Sequence, residues 1–288
     1  MKSILQQQCE QLAAERYPLH MPGHKRRLAP APGLGCYAFD LTEIEGADDL
    51  HDARGILADA MQRTADLYGS ARCWYLVGGS TAGLLAGIRA AAPFGSRVLV
   101  ARNCHKAVYH ALELGHLTAH YLTPPVVAEF GVYGSIPPEA VAADLDAHPD
   151  VRCVILTSPT YEGVQSDLAA IAQCCHARGI PLLVDEAHGA HYLPLAEPCG
   201  WQGGAVAAGA DLVVQSAHKT LPSLTQTAWL HLNGSLIDPA AVERELDVFE
   251  TSSPSYPLLV SLDGCTGWLA REGAAAFAAW RARLDRFY

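Results

Sequence analysis

The feature that most restricts how this chain can fold is a recurrence of short, near-continuous apolar runs separated by longer segments of helical period. The runs are "CWYLV" (73–77), "RVLVA" (97–101), "LTAHYL" (117–122), "VRCVIL" (151–156), "PLLVD" (181–185), "DLVVQ" (211–215) and "AWLHL" (228–232). A strand with one face in water alternates apolar and polar residues, whereas a run without alternation is covered on both faces. The intervening segments, for example Ser166 to Arg178 and Pro137 to Ala147, carry a helical spacing of apolar residues. The combination predicts an α/β fold of three layers, αβα, around a mostly parallel sheet. In such sheets ligands gather where strands end and helices begin, so those junctions are where chemistry is expected.

Charge and cysteine usage narrow the partners. A formal net charge of −10 argues against a nucleic acid or an anionic membrane as the main partner, because both reward excess Lys and Arg. A small-molecule ligand fits better. The start, "MKSILQQQCEQLAAERYPLH", lacks the apolar core of a signal peptide, and no run is long enough to span a bilayer. The 9 cysteines include no Cys-x-x-Cys pair, which fits reduced thiols and a cytoplasmic location.

Four junctions carry chemistry. In "LVGGSTAG", Gly78 and Gly79 end a strand, and Ser80 and Thr81 open a helix. Backbone N–H groups at a helix start, with two glycines and two hydroxyls, make a cradle for a phosphate; a plain glycine turn with a serine cap is the other reading. The loop matches neither Gly-x-Gly-x-x-Gly nor Gly-x-x-x-x-Gly-Lys-[Ser/Thr]. In "LLVDEAHGAH", Asp185 ends a buried run and needs a positive partner. Asp185, Glu186, His188 and His191 lack the spacing of a metal site, so no metal is expected. In "RVLVARNCHKAV", His105 stands at the head of a helix, as a cap or as a functional ring. In "VVQSAHKTLPSLTQ", Lys219 follows a buried strand, an expensive place for an ammonium group unless it is used.

Together these junctions suit one ligand, pyridoxal 5'-phosphate. The lysine forms a Schiff base, a carboxylate keeps the pyridine nitrogen protonated, a helix start holds the phosphate, and a flat side chain stacks on the ring.

The motifs "LHMPGHKRR", "DLTEIEGADDLHDARG", "YLVGGSTAG", "ARNCHKAV", "TSPTYEGV", "LVDEAHGAH", "QSAHKTLPSLTQ" and "TSSPSYPLL" run nearly end to end. In them the chain resembles the major domain of the bacterial ornithine/lysine/arginine decarboxylases, a family of aspartate-aminotransferase-like fold (fold type I). The resemblance implies catalytic roles for Lys219, Asp185 and His105. It implies cofactor binding by Gly79, Ser80, Thr81, His105, Asp185, His188, Ser216, His218 and Lys219. Thr251, Ser252 and Ser253 resemble a loop that reaches the cofactor of a neighbouring subunit, which implies a homodimer. His191 reads as structural.

The resemblance also implies a division into an N-terminal helix and arm (1–50), a cofactor-binding major domain (51–256) and a C-terminal helix (257–288). That helix keeps apolar residues in register at Leu258, Leu262, Cys265 and Leu269, then at Phe277, Trp280 and Leu284. The resemblance also leads to the expectation that the family's small C-terminal domain, which helps close the site, is missing from this chain. The expected reaction is decarboxylation of arginine, lysine or ornithine to the amine, in polyamine biosynthesis. The alternatives are a weakly active or inactive cofactor-binding module and another fold type I reaction such as transamination. The site residues alone support a pyridoxal phosphate enzyme; the word decarboxylase rests on the resemblance.

Overall fold

Every residue of strands β7 (Leu182–Asp185), β8 (Leu212–Gln215) and β9 (Ala228–Leu232) is buried, which is why these runs show no polar alternation. They form the middle of the sheet in the computed structural model, which describes residues 2–15, Ala38 and 40–288. The motif "LHMPGHKRR" and the start of "DLTEIEGADDLHDARG" need separate treatment: residues 19–27 lie outside the described residues, while 40–55 lie within them.

The remaining strands are β1 (Arg72–Leu76), β2 (Arg97–Ala101), β3 (Thr118–Leu122) and β6 (Val151–Thr157). They complete a sheet of 7 strands in the order β1-β9-β8-β7-β6-β2-β3. All neighbours are parallel except that β9 runs against both β8 and β1. β1, β2, β3, β6, β7 and β8 therefore point the same way, and their carboxyl ends share one edge. A small antiparallel hairpin, β4 (Val126–Val127) and β5 (Val132–Tyr133), stands apart from this sheet.

Successive residues of each strand feed opposite apolar layers. Leu183, Leu212 and Val214 join a core with Leu84 and Ile88 of α3 (Gly79–Ala91). Leu182, Val184 and Val213 join another with Val141 of α5 (Pro138–Ala147) and Ile171 of α6 (Leu168–His176). This is the expected αβα layering. Helix α3 comes very close to the sheet. A Cβ on Gly83 would sit 2.5 Å from Leu76 Cδ1 and 3.1 Å from Val214 Cγ1, so only glycine allows that approach.

The first layer is completed by α4 (Lys106–Leu114), by α8 (Pro239–Phe249) and by the terminal helices. α1 (Ile4–Glu15), α2 (Ile56–Tyr68) and α9 (Tyr256–Trp268) meet at the buried carboxylate of Asp263, which accepts from Leu5 N (3.1 Å) and Arg63 Nη2 (2.8 Å). The expected C-terminal helix is interrupted: a π-helical turn at Leu269–Gly273 separates α9 from α10 (Ala274–Phe287). Trp280 of α10 stacks on Trp201 with ring centroids 3.9 Å apart, and His191 lies edge-on to both rings. His191 is thus packed away as a structural residue, its pKa pushed down to about 4 by burial. The 8 described cysteines are all free thiols, 5 of them buried.

Candidate cofactor site

The carboxyl ends of β1, β2, β6, β7 and β8 surround a cavity of about 440 Å³, a size suited to a cofactor. Gly79, Ser80, Thr81, His105, Asp185, His188, Ser216, His218 and Lys219 all line it. Thr251, Ser252 and Ser253 do not; they are exposed in the turn after α8.

One wall is the start of α3. Gly79 adopts φ +77°, a left-handed conformation that turns the chain from β1 into the helix, whose first residues line the cavity. Ser80 Oγ lies 2.6 Å from Ser216 Oγ, so the two hydroxyls form a pair beside those amides. Gly78 N donates to both carboxylate oxygens of Glu250, at 3.1 and 2.8 Å, which anchors the turn from behind. Burial pushes the Glu250 carboxyl up to about 7.

Opposite, Asp185 closes β7 and is 2% exposed. Its Oδ1 accepts from Ala187 N at 3.1 Å. Burial raises its pKa, while the Ala187 amide and the charges at His105 and Lys219 pull it back. A buried carboxylate at the wall of a cavity is stabilised by any cationic N–H placed within it.

Lys219 sits on α7 (Ala217–Thr220), a single helical turn after β8. The sequence suggested a costly ammonium next to a buried strand. Instead the turn carries Lys219 outward, so it is exposed at the cavity, with Nζ 3.0 Å from His188 Nε2. Burial, then the positive charge of Lys219, lowers the His188 pKa, so the ring is a neutral acceptor for a lysine N–H. His105 caps α4, its Nδ1 accepting from Ala107 N at 3.2 Å. His105 therefore caps α4 and also lines the cavity. His218 is fixed by a 2.9 Å contact from Nδ1 to Thr227 O.

A family model described as "Orn/Lys/Arg decarboxylase, major domain" matches residues 13–276. The chain belongs to this decarboxylase family. It is 45% identical over 226 residues to the "Uncharacterized protein YaaO" of Bacillus subtilis (strain 168), covering 78% of this chain and 46% of that protein. It is 34% identical over 265 residues to an arginine decarboxylase of Halalkalibacterium halodurans, covering 88% and 52% respectively. The chain thus spans about half the length of these relatives. Among solved structures, lysine decarboxylase A from Pseudomonas aeruginosa superposes with a TM-score of 0.82 at 24% identity, over 99% of this chain and 42% of that one. A structure described as "SPT with PLP" shares the fold more distantly, with a TM-score of 0.58 at 18% identity over 76% and 52%.

Three polar residues of this cavity lie inside motifs that carry the family resemblance, but none was assigned a role from the sequence. Thr157 ends β6 directly beside Asp185 in the sheet register, and Asn103 follows β2. Thr157 Oγ1 and Asn103 Oδ1 are shielded from solvent and have no hydrogen-bond partner. Gln226 lines the cavity and donates from Nε2 to Val77 O at 2.5 Å. The motifs "TSPTYEGV", "ARNCHKAV" and "QSAHKTLPSLTQ" are the signals that could have found them.

Proposed function

We propose that the chain binds pyridoxal 5'-phosphate in this cavity and decarboxylates a basic amino acid. The observation that carries the proposal is the convergence of a buried carboxylate, an exposed lysine and a glycine-led helix start on one cavity of about 440 Å³. The residues fit the group. Asp185 would pair with its ring nitrogen, Lys219 would bind it covalently, and the amides from Gly79 onward with Ser80 and Ser216 would hold its phosphate. His105 would lie against the ring, and Thr157 Oγ1 and Asn103 Oδ1 offer acceptors with no present partner. That a distant structure of this fold is described with PLP supports the assignment.

When bound, pyridoxal phosphate supplies a conjugated ring that takes up electrons as the bond from an amino acid's Cα to its carboxylate breaks. The chain's residues prepare that step. His188, held neutral by burial and by the neighbouring charge, accepts a hydrogen bond from Lys219 and so orients Nζ towards the cavity. Asp185 would keep the ring nitrogen of the bound group protonated on the far side of the cavity. The paired hydroxyls of Ser80 and Ser216 would hold the phosphate end of the group and so help to orient the reacting bond.

A second copy of the chain would complete the site. Val126, Phe130 and Tyr133 on and beside the β4–β5 hairpin and Tyr161 at the cavity are exposed apolar surface of the kind a partner covers. Thr251 to Ser253 would then reach the neighbouring cavity. Arginine is the first substrate to test, because the relatives named arginine decarboxylases are 32–34% identical and those named lysine decarboxylases 27–28%. The test is incubation of the cofactor-loaded chain with arginine, lysine and ornithine in turn, followed by detection of amine and carbon dioxide. Release of both from one of them supports the proposal; a keto acid in their place assigns transamination instead.

A further inference from the structure

A second convergence of side chains lies on the outer edge of the sheet, with no residue in common with the cavity. His120 is the middle residue of the edge strand β3, Asp144 lies in the last turn of α5, and His148 caps that helix. The spacing of Asp144 and His148, four residues apart, places them on one helix face. That face meets β3: His120 Nε2 is 3.2 Å from Asp144 Oδ1, and the two imidazole rings lie 4.0 Å apart between centroids. One ligand atom from each of the three residues falls within a span of 4.8 Å.

The tautomer of His148 is set by its partner. Its Nδ1 lies 3.0 Å from the carbonyl oxygen of Asp144, and a carbonyl only accepts, so Nδ1 carries the hydrogen. Nε2 then presents a lone pair. A histidine that donates one ring N–H to a backbone carbonyl and offers the other nitrogen is the usual arrangement of a metal-ligating imidazole. The 3.2 Å separation of His120 Nε2 and Asp144 Oδ1 has a second reading too. Donors about 2.0–2.2 Å from a tetrahedral ion stand about 3.3–3.6 Å from one another. The third ligand atom lies within 4.8 Å of the other two, roughly 1 Å beyond that separation.

As a bare ion pair, His120 and Asp144 are 35% and 30% exposed and contribute little stability. Neighbouring carboxylates are otherwise engaged: Asp146 pairs with Arg178 and Asp150 with Arg97. Two imidazoles and one carboxylate make a borderline donor set, which suits zinc and its neighbours; magnesium and calcium call for oxygen donors throughout.

We propose that His120, Asp144 and His148 bind a single divalent transition-metal ion of the zinc type, with a fourth position open to water, and so pin α5 to the sheet edge. Binding requires the one ring proton of neutral His120 to sit on Nδ1, since Nε2 ligates.

The test uses the full untagged chain, stripped with a chelator and titrated with Co²⁺ and then with Zn²⁺. The expected result is uptake of one ion, a visible Co²⁺ spectrum free of intense thiolate charge-transfer bands, and displacement by Zn²⁺. His120→Ala and His148→Ala should each weaken binding by at least about 10- to 100-fold. Asp144→Asn, close in shape to the parent, should also weaken it while far-UV circular dichroism stays unchanged. Absence of uptake by the folded chain, a thiolate-type spectrum, or binding unaffected in the three variants would overturn the proposal.

Discussion

Replacing Glu186 by Gln removes one titratable proton from the interior and leaves a side chain of the same shape. Glu186 is 0% exposed. Its Oε1 accepts from Ala205 N at 2.8 Å and its Oε2 from Gln215 Nε2 at 2.7 Å. Gln215 Oε1 in turn faces His231 Nε2 at 3.2 Å, and His231 Nδ1 faces Ser70 Oγ at 3.0 Å. No cation compensates the carboxylate in this chain of polar groups, and burial pushes its pKa from 4.5 up to about 8. The network accommodates the neutral acid by turning over the Gln215 amide, which reverses each hydrogen bond as far as Ser70.

The sign of the pH effect follows. Below about pH 4.5 folded and unfolded chains both hold the proton, and the stabilisation is fully present. As pH rises to about 8 only the folded chain keeps it, so stability falls by about 1.4 kcal/mol per pH unit, roughly 5 kcal/mol over the window. Glu186→Gln lacks this loss. His231, its pKa lowered to about 3 by burial, costs stability as pH falls below 6.5, but equally in parent and variant. Urea unfolding of both proteins at pH 5.5 and 8.5 reads the difference. The variant should gain on the parent by roughly 3 kcal/mol between these pH values. A gap that stays constant with pH would refute the reasoning, because it would mean that Glu186 is ionised in the fold throughout.

Three further outcomes are expected. Asp185→Asn should keep the fold and weaken pyridoxal phosphate binding by about 3–5 kcal/mol, the cost of removing one partner of a buried charge pair; spectrophotometric titration reads this, and unchanged affinity would remove Asp185 from its role. Gly79→Ala places a Cβ on a residue at φ +77° and should cost about 1–2 kcal/mol in urea unfolding, with weaker cofactor binding besides. Glu250→Ala leaves Gly78 N without its acceptor and should cost about 1–3 kcal/mol, seen as a lower thermal midpoint.

The sheet was legible in the sequence because its central strands are covered on both faces: the run 228–232 matches β9, and 97–101 matches β2. The reversed direction of β9 was not legible, since a fully buried run reads the same in either sense. The β4–β5 hairpin was missed because its strands have 2 residues each and are largely exposed. The π-helical turn at 269–273 left the apolar spacing almost undisturbed. The lining of the cavity was readable where a polar residue or glycine sits at a strand end within a distinctive motif, as with Asp185, Lys219 and Gly79. The line from Glu186 to His231 was not, because it depends on which strands lie side by side. Register across β7, β8 and β9, which brings Gln215 and His231 within reach of Glu186, is long-range information that no local motif carries.

The central claim is that Lys219 is the covalent anchor of pyridoxal phosphate. Borohydride reduction of the cofactor-loaded chain, followed by peptide mapping, tests it most directly. The phosphopyridoxyl label is expected on Lys219, and should be lost in an otherwise folded Lys219→Ala protein. A label on another lysine such as Lys106, or no label on a chain that is folded by circular dichroism, would contradict it.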